Sequence, residues 1–124
     1  MTDDERYDRG LDIIARIHGS VVPATPREKG TFPEIAVRNI YNDVWGREEM
    51  SVRDRRLMVI GALAAMTLMD PLEIHLRSAL ELEELSWNEL NEFVITMSSY
   101  IGAPRATYVH NLISKLKKEL ASQA

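Results

Sequence analysis

The chain has no cysteine among its 124 residues. That excludes disulfides, thiolate nucleophiles and thiol redox chemistry. Basic excess is also missing: the formal charge is −4. A nucleic-acid partner is therefore not expected, because such proteins carry a basic surplus or stripe. Lys115, Lys117 and Lys118 share their segment with Glu119 and read as a solvated helix end, where cations suit the helix dipole. Long apolar runs are lacking as well. The longest, Leu57 to Met69, is 13 residues, too short to span a bilayer and suited to a core helix. The opening MTDDERYDRG is acidic and polar, unlike a secretory signal. The expectation is a soluble, cytoplasmic protein of one domain, 1–124, with no membrane partner.

Strand-like alternation is absent too, and capping signals divide the chain into about six helices. The first runs from about Asp4 to His18, with Leu11, Ile14, Ala15 and Ile17 on its inner side and Gly19 as its stop. The segment SVVPATPREKGTFP, with three prolines, is a loop with room for one helical turn at Thr25–Glu28. Pro33 opens a second helix through Ile35, Val37, Ile40, Tyr41 and Val44, ended by Gly46. Ser51 and Asp54 resemble a capping box for a third helix reaching about Met69. From Leu57 onward that helix is apolar on nearly all faces, which implies burial all round and, in a chain of this size, self-association. Asp70-Pro71-Leu72-Glu73 and Ser86-Trp87-Asn88-Glu89 read as two further capped starts. Pro104 opens the last helix, bearing Val109, Leu112, Ile113, Leu116 and Leu120. The fold class is all-α.

The three histidines, His18, His75 and His110, lack the i, i+4 spacing of a helical metal site, and no phosphate loop or nucleophile elbow is present, so no metal and no cofactor are expected. His75 sits on the shoulder of a stripe formed by Leu72, Leu76, Ala79 and Leu80. That position suits the rim of a pocket and equally a core histidine bonded to backbone; position alone favours the latter. At a pocket, its imidazole is the obvious general acid or base. Glu73 points elsewhere and has two structural uses, the cap and an i, i+4 pair with Arg77. Arg55 is either a surface arginine of a first turn or a fork for a carboxylate. Trp45 and Tyr100 read first as core or interface aromatics and second as pocket walls.

Four pieces, in order, carry a resemblance. They are Trp45-Gly46-Arg47, Arg55-x-Leu57 at a helix start, His75-Leu-Arg-x-Ala79-Leu, and Tyr100-x-Gly102-x-Pro104. From about Asn42 to Leu112 the chain resembles the carboxymuconolactone decarboxylase family, within the alkylhydroperoxidase-D-like group. The resemblance implies an all-helical subunit assembling as a homotrimer or homohexamer with sites near subunit contacts. It also implies cofactor-free decarboxylation of a cyclic or lactone acid in aromatic-compound breakdown. His75 would then be the acid/base and Arg55 the anion holder, with Trp45, Arg47 and Tyr100 as substrate contacts. Other chemistry on the same fold (an isomerase, cyclase or dehydratase), or a non-catalytic oligomeric binding protein, are the alternatives. The thiol peroxidases of the group use a Cys-x-x-Cys pair that this chain lacks. Three departures stand out. Pro71 occupies the position of a glutamate one turn before the histidine, Arg56 stands where a small hydroxyl residue is common, and the acidic ALELEELSWNEL replaces a short Asn-Gly turn.

Overall fold

The computed structural model describes residues 1–123 and is all-helical, with no strand among them. Six α-helices and one π-helix follow in order: α1 (Asp3–His18), α2 (Phe32–Ala36), the π-helix (Val37–Trp45), α3 (Val52–Ala65), α4 (Met69–Glu81), α5 (Trp87–Ile101) and α6 (Ala103–Ser122). Most boundaries follow local chemistry. The Thr2 hydroxyl caps α1 and Ser51 caps α3, each accepting from a backbone N–H three residues on. Ser86 and Glu89 form the reciprocal capping box of α5. Gly19 ends α1 with φ +54, a conformation that favours glycine.

The packing divides into two layers. Ile60, Ala64, Leu72, Leu76, Ala79, Leu90, Val109 and Leu116 form one core among α3 to α6. Ile13, Ile17 and Trp45 form a second, where α1 packs on the π-helix against Val52 and Val59. The buried positions of α1 are Tyr7, Gly10, Ile13, Ile17 and His18; Leu11 and Ile14 are only half-buried and Ala15 is exposed, so the helix is rotated from the expected phase. Gly10 permits the close approach of α1 to the π-helix. A Cβ there would lie 2.3 Å from the Val37 carbonyl oxygen, which is backbone and cannot swing aside. Gly10→Ala is expected to cost roughly 2 kcal/mol in urea denaturation. A wild-type midpoint in that variant would show that the two helices are not clamped together.

Four other boundaries differ from expectation. No helical turn forms at 25–28. The stretch read as a single α-helix to Val44 passes into π-helix at Val37, where bonds span five residues, as from the Gly46 N–H to the Tyr41 carbonyl at 2.9 Å. The helix α3 stops at Ala65, not Met69. Thr67 takes φ +57 there, while the Thr67 and Leu68 N–H groups bond back to Ala64 and Leu63, a Schellman close. Because that close ends at Leu68, α4 begins at once with Leu68 as its cap. Asp70 is inside the first turn rather than capping it, and Pro71 falls where a helical N–H has no partner anyway.

The end of α4 repeats the Schellman pattern. Glu83 has φ +53, and the Glu83 and Glu84 N–H groups bond to the Leu80 and Ala79 carbonyls at 3.1 and 2.8 Å. This turn folds Glu84 back toward α3. A side chain at positive φ is strained, so Glu83→Gly should raise stability by about 0.5–1 kcal/mol. A thermal scan showing a lower midpoint would contradict this account of the turn.

The expected burial of α3 on all sides is not found within one chain. Arg56, Ile60 and Ala64 are buried, whereas Met58 (56% exposed) and Met66 (59%) face outward with Ala62 and Ala65. No helix among the described residues is long and apolar enough to cross a membrane.

Candidate functional site

Where the two cores meet, α1, the π-helix, α3 and α4 converge on His75. The Trp45 ring stacks on its imidazole with centroids 5.6 Å apart and planes 22° apart. The His18 ring lies 5.0 Å away on another side. Trp45 arrives there because the π-helix brings Tyr41 and Trp45 onto the face that meets α1. His75 is half-buried, on the shoulder of the Leu72–Leu76–Ala79 stripe, as its helical phase requires.

The group that organises the site is Arg56, which is 0% exposed. Its Nε and Nη2 donate to the two oxygens of Glu84, Nη2 also donates to the Ile17 carbonyl, and Nη1 donates to His75 Nδ1 at 3.1 Å. One guanidinium thus ties α1, α3, α4 and the α4–α5 link together. The fork geometry of arginine suits this; a lysine ammonium could not span the same set.

These bonds fix the tautomer of His75. A guanidinium only donates, so Nδ1 accepts and the ring proton lies on Nε2. Among the described residues no protein atom bonds Nε2, and it is not sealed from solvent. Burial first, then the neighbouring His18 and the Arg56 charge, push His75 down to about 3. At neutral pH it is an uncharged imidazole presenting one N–H.

His18 is fixed in a similar way. Its Nδ1 lies 2.7 Å from Ser78 Oγ, which in turn lies 2.8 Å from the Ile74 carbonyl. Both contacts are hydrogen bonds at once only when the hydroxyl donates to the carbonyl and accepts from Nδ1–H. His18 Nε2 is then the acceptor facing the Tyr41 hydroxyl at 3.5 Å. Burial raises Tyr41, which keeps the phenol protonated. Burial, with the Arg56 charge second, lowers His18 to about 4.

The other expected site residues lie outside this cluster. Arg55 is half-buried, with Nη2 donating to the Arg47 carbonyl at 3.5 Å and Nε enclosed without an acceptor. It makes no hydrogen bond to His75. Arg47 is exposed and contributes only that carbonyl, and Tyr100 is 83% exposed near the end of α5. Glu73 makes the expected pair with Arg77 at 3.0 Å and a further one with Lys115 at 3.3 Å, but the expected capping box with Asp70 does not form, because Leu68 is the cap of α4. Five surface cavities of about 270–410 Å³ are lined by other residues. Among the described residues no group of three or more His, Asp or Glu side chains is placed to hold a metal ion.

No protein-family model, curated protein or solved structure matches this chain. The site therefore has to be read from its own geometry. Sequence reasoning placed His75 and Trp45 at the site and assigned nothing to Arg56, Glu84 or His18. One signal was available for Arg56: it shares an i, i+4, i+8 stripe with Ile60 and Ala64, so an arginine heads the buried face of α3.

Proposed function

We propose that the chain is a cofactor-free small-molecule enzyme resembling γ-carboxymuconolactone decarboxylase, with His75 as its reacting-side donor. The observation that carries this reading is the Arg56–His75 hydrogen bond, which leaves a neutral imidazole whose Nε2–H has no hydrogen-bond partner among the described residues. His75 thereby acts as a hydrogen-bond donor to a substrate oxygen, in place of the acid/base role expected from sequence. Decarboxylation suits such a group. The bond to the carboxylate carbon breaks, carbon dioxide leaves, and the electron pair delocalises onto the conjugated carbonyl oxygen. A donor at that oxygen stabilises the enolate, and water returns a proton to carbon. Arg55 has no carboxylate partner among the described residues, and a substrate carboxylate would provide one.

The test is spectrophotometric turnover of γ-carboxymuconolactone. His75→Ala should lower kcat roughly 100-fold or more. Arg55→Gln should act mainly on KM, raising it about 10-fold. Turnover unaffected by His75→Ala would remove the histidine from the chemistry. Binding of another cyclic acid or ketone without lactone turnover would point instead to isomerase, cyclase or dehydratase chemistry on the same donor.

The exposed apolar face of α3 supports a second element of the reading, assembly into a homotrimer or homohexamer. Met58 and Met66 on α3, with Leu68 beyond it, are large apolar groups facing solvent in the single chain. Sedimentation velocity should give a species of three or six subunits at micromolar concentration. A monomer there would exclude the assembly.

A further inference from the structure

We infer that Glu84 and Arg56 act together as the positioning pair of His75, the carboxylate anchoring the guanidinium that holds the ring. The inference rests on His75 being the reacting group of the proposed enzyme. Arg56 and the acidic link that carries Glu84 are then one device. Arg56 cannot stand alone in its buried place, because an unpaired guanidinium there would be severely destabilised. Glu84 neutralises it from the acidic link, which the Schellman turn at Glu83 folds back to reach it. Pro71, on the His75 side of the helix, brings no acceptor to compete for the imidazole nitrogen that Arg56 holds.

The consequences for His75 are specific. A carboxylate beside an imidazole accepts its N–H and favours imidazolium. A guanidinium donates to it instead, holds the proton on the opposite nitrogen and keeps the ring neutral. The charged and titratable groups facing His75 all agree with this. From α1 comes His18, whose Nδ1–H is committed to Ser78; from α3 comes Arg56; from the link comes Glu84, whose oxygens are both taken by Arg56. The π-helix contributes Trp45, which is uncharged, and Tyr41, which faces His18. No carboxylate is hydrogen-bonded to the ring among the described residues. Arg56 and Glu84 set which nitrogen of His75 carries the proton and do not themselves meet the substrate.

The experiment is ¹⁵N NMR of the histidine side chains in the full chain, with lactone turnover measured alongside. In the unaltered protein His75 should show a protonated Nε2 and a bare Nδ1, unchanged between pH 8 and pH 5. A protonated Nδ1, or an imidazolium within that range, overturns the proposal without any variant being made. Glu84→Gln keeps shape but removes the charge that anchors Arg56. It should give a mixture of His75 tautomers and a 10- to 100-fold loss of kcat with little change in KM. Arg56→Lys should do the same, because a single ammonium cannot hold Glu84, Ile17 and His75 together. Wild-type tautomer and kcat in either variant would show that the pair does not position the ring. If the unaltered protein has the expected tautomer but does not turn over the lactone, the enzymatic reading fails and the positioning of His75 stands.

Discussion

Arg56→Met should destabilise the protein by about 3–5 kcal/mol in urea denaturation at neutral pH. The substitution removes every donor of a guanidinium that has no solvent contact. It strands the Glu84 carboxylate, whose side chain is only 12% exposed, together with the Ile17 carbonyl and His75 Nδ1. A single domain is commonly stable by about 5–15 kcal/mol, so this variant would stand near the limit of folding. Glu84→Leu alone should be nearly as harmful, because it leaves the buried cation unpaired. The two together should cost clearly less than their sum, since exchanging a whole buried ion pair for apolar groups is often close to neutral. An Arg56→Met variant within 1 kcal/mol of wild type would show that the guanidinium is not the tie between the two cores.

The second large effect is with pH. His18 and His75 have folded-state values of about 4 and about 3, both below the ordinary imidazole value of 6.5. The native state therefore holds them neutral while the unfolded chain protonates them. Their contribution to stability is complete above pH 6.5 and is lost as pH falls from there toward the folded values. Each histidine contributes a slope of up to about 1.4 kcal/mol per pH unit, so between pH 7 and pH 4.5 the loss should be on the order of 3–5 kcal/mol. The window separates this effect from the carboxylates. Glu34, Asp43, Glu81 and Glu89 are lowered in the folded state, so the stability they add is lost only on going below pH 4.5 or so. Denaturation curves at half-unit intervals should show the fall beginning near pH 6.5. Replacing both His18 and His75 with glutamine should flatten that limb. A stability constant from pH 7 to pH 5 would mean that both rings take up a proton in the native state as they do in the unfolded chain.

Much of the fold was legible because helix signals are local. The cap of α3 at Ser51, the capping box of α5, the stop at Gly19 and the start at Pro104 each depend on groups within a few residues of one another. The misplaced end of α3 and start of α4 have one cause. The Schellman closes at Thr67 and Glu83 put non-glycine residues at positive φ, so the glycine that usually marks such a turn is absent. With the end of α3 hidden, Asp70 looked like a cap. The passage into π-helix at Val37 carries no residue signature comparable to a proline or glycine.

The site was legible only in part, for a different reason. His75 and Trp45 are noticeable as rare residue types on a helix shoulder and a turn. What they do depends on pairs far apart in the chain: Arg56 with Glu84 across 28 positions, His75 with Arg56 across 19, and His18 with Ser78 across 60. In RDRR the sequence offers three arginines; the stripe with Ile60 and Ala64 marks Arg56 as heading the buried face of α3, but nothing local says that its donors meet an imidazole. The sequence by itself determined an all-helical chain without thiol chemistry, and it singled out His75 on the shoulder of an apolar stripe. Only the tertiary structure decided that Arg56 rather than Arg55 reaches His75, that Glu84 neutralises it, and that the ring is a neutral donor. Helix starts and apolar stripes are set by neighbours along the chain, whereas the protonation of a buried ring is set by whichever distant charges the packing brings against it.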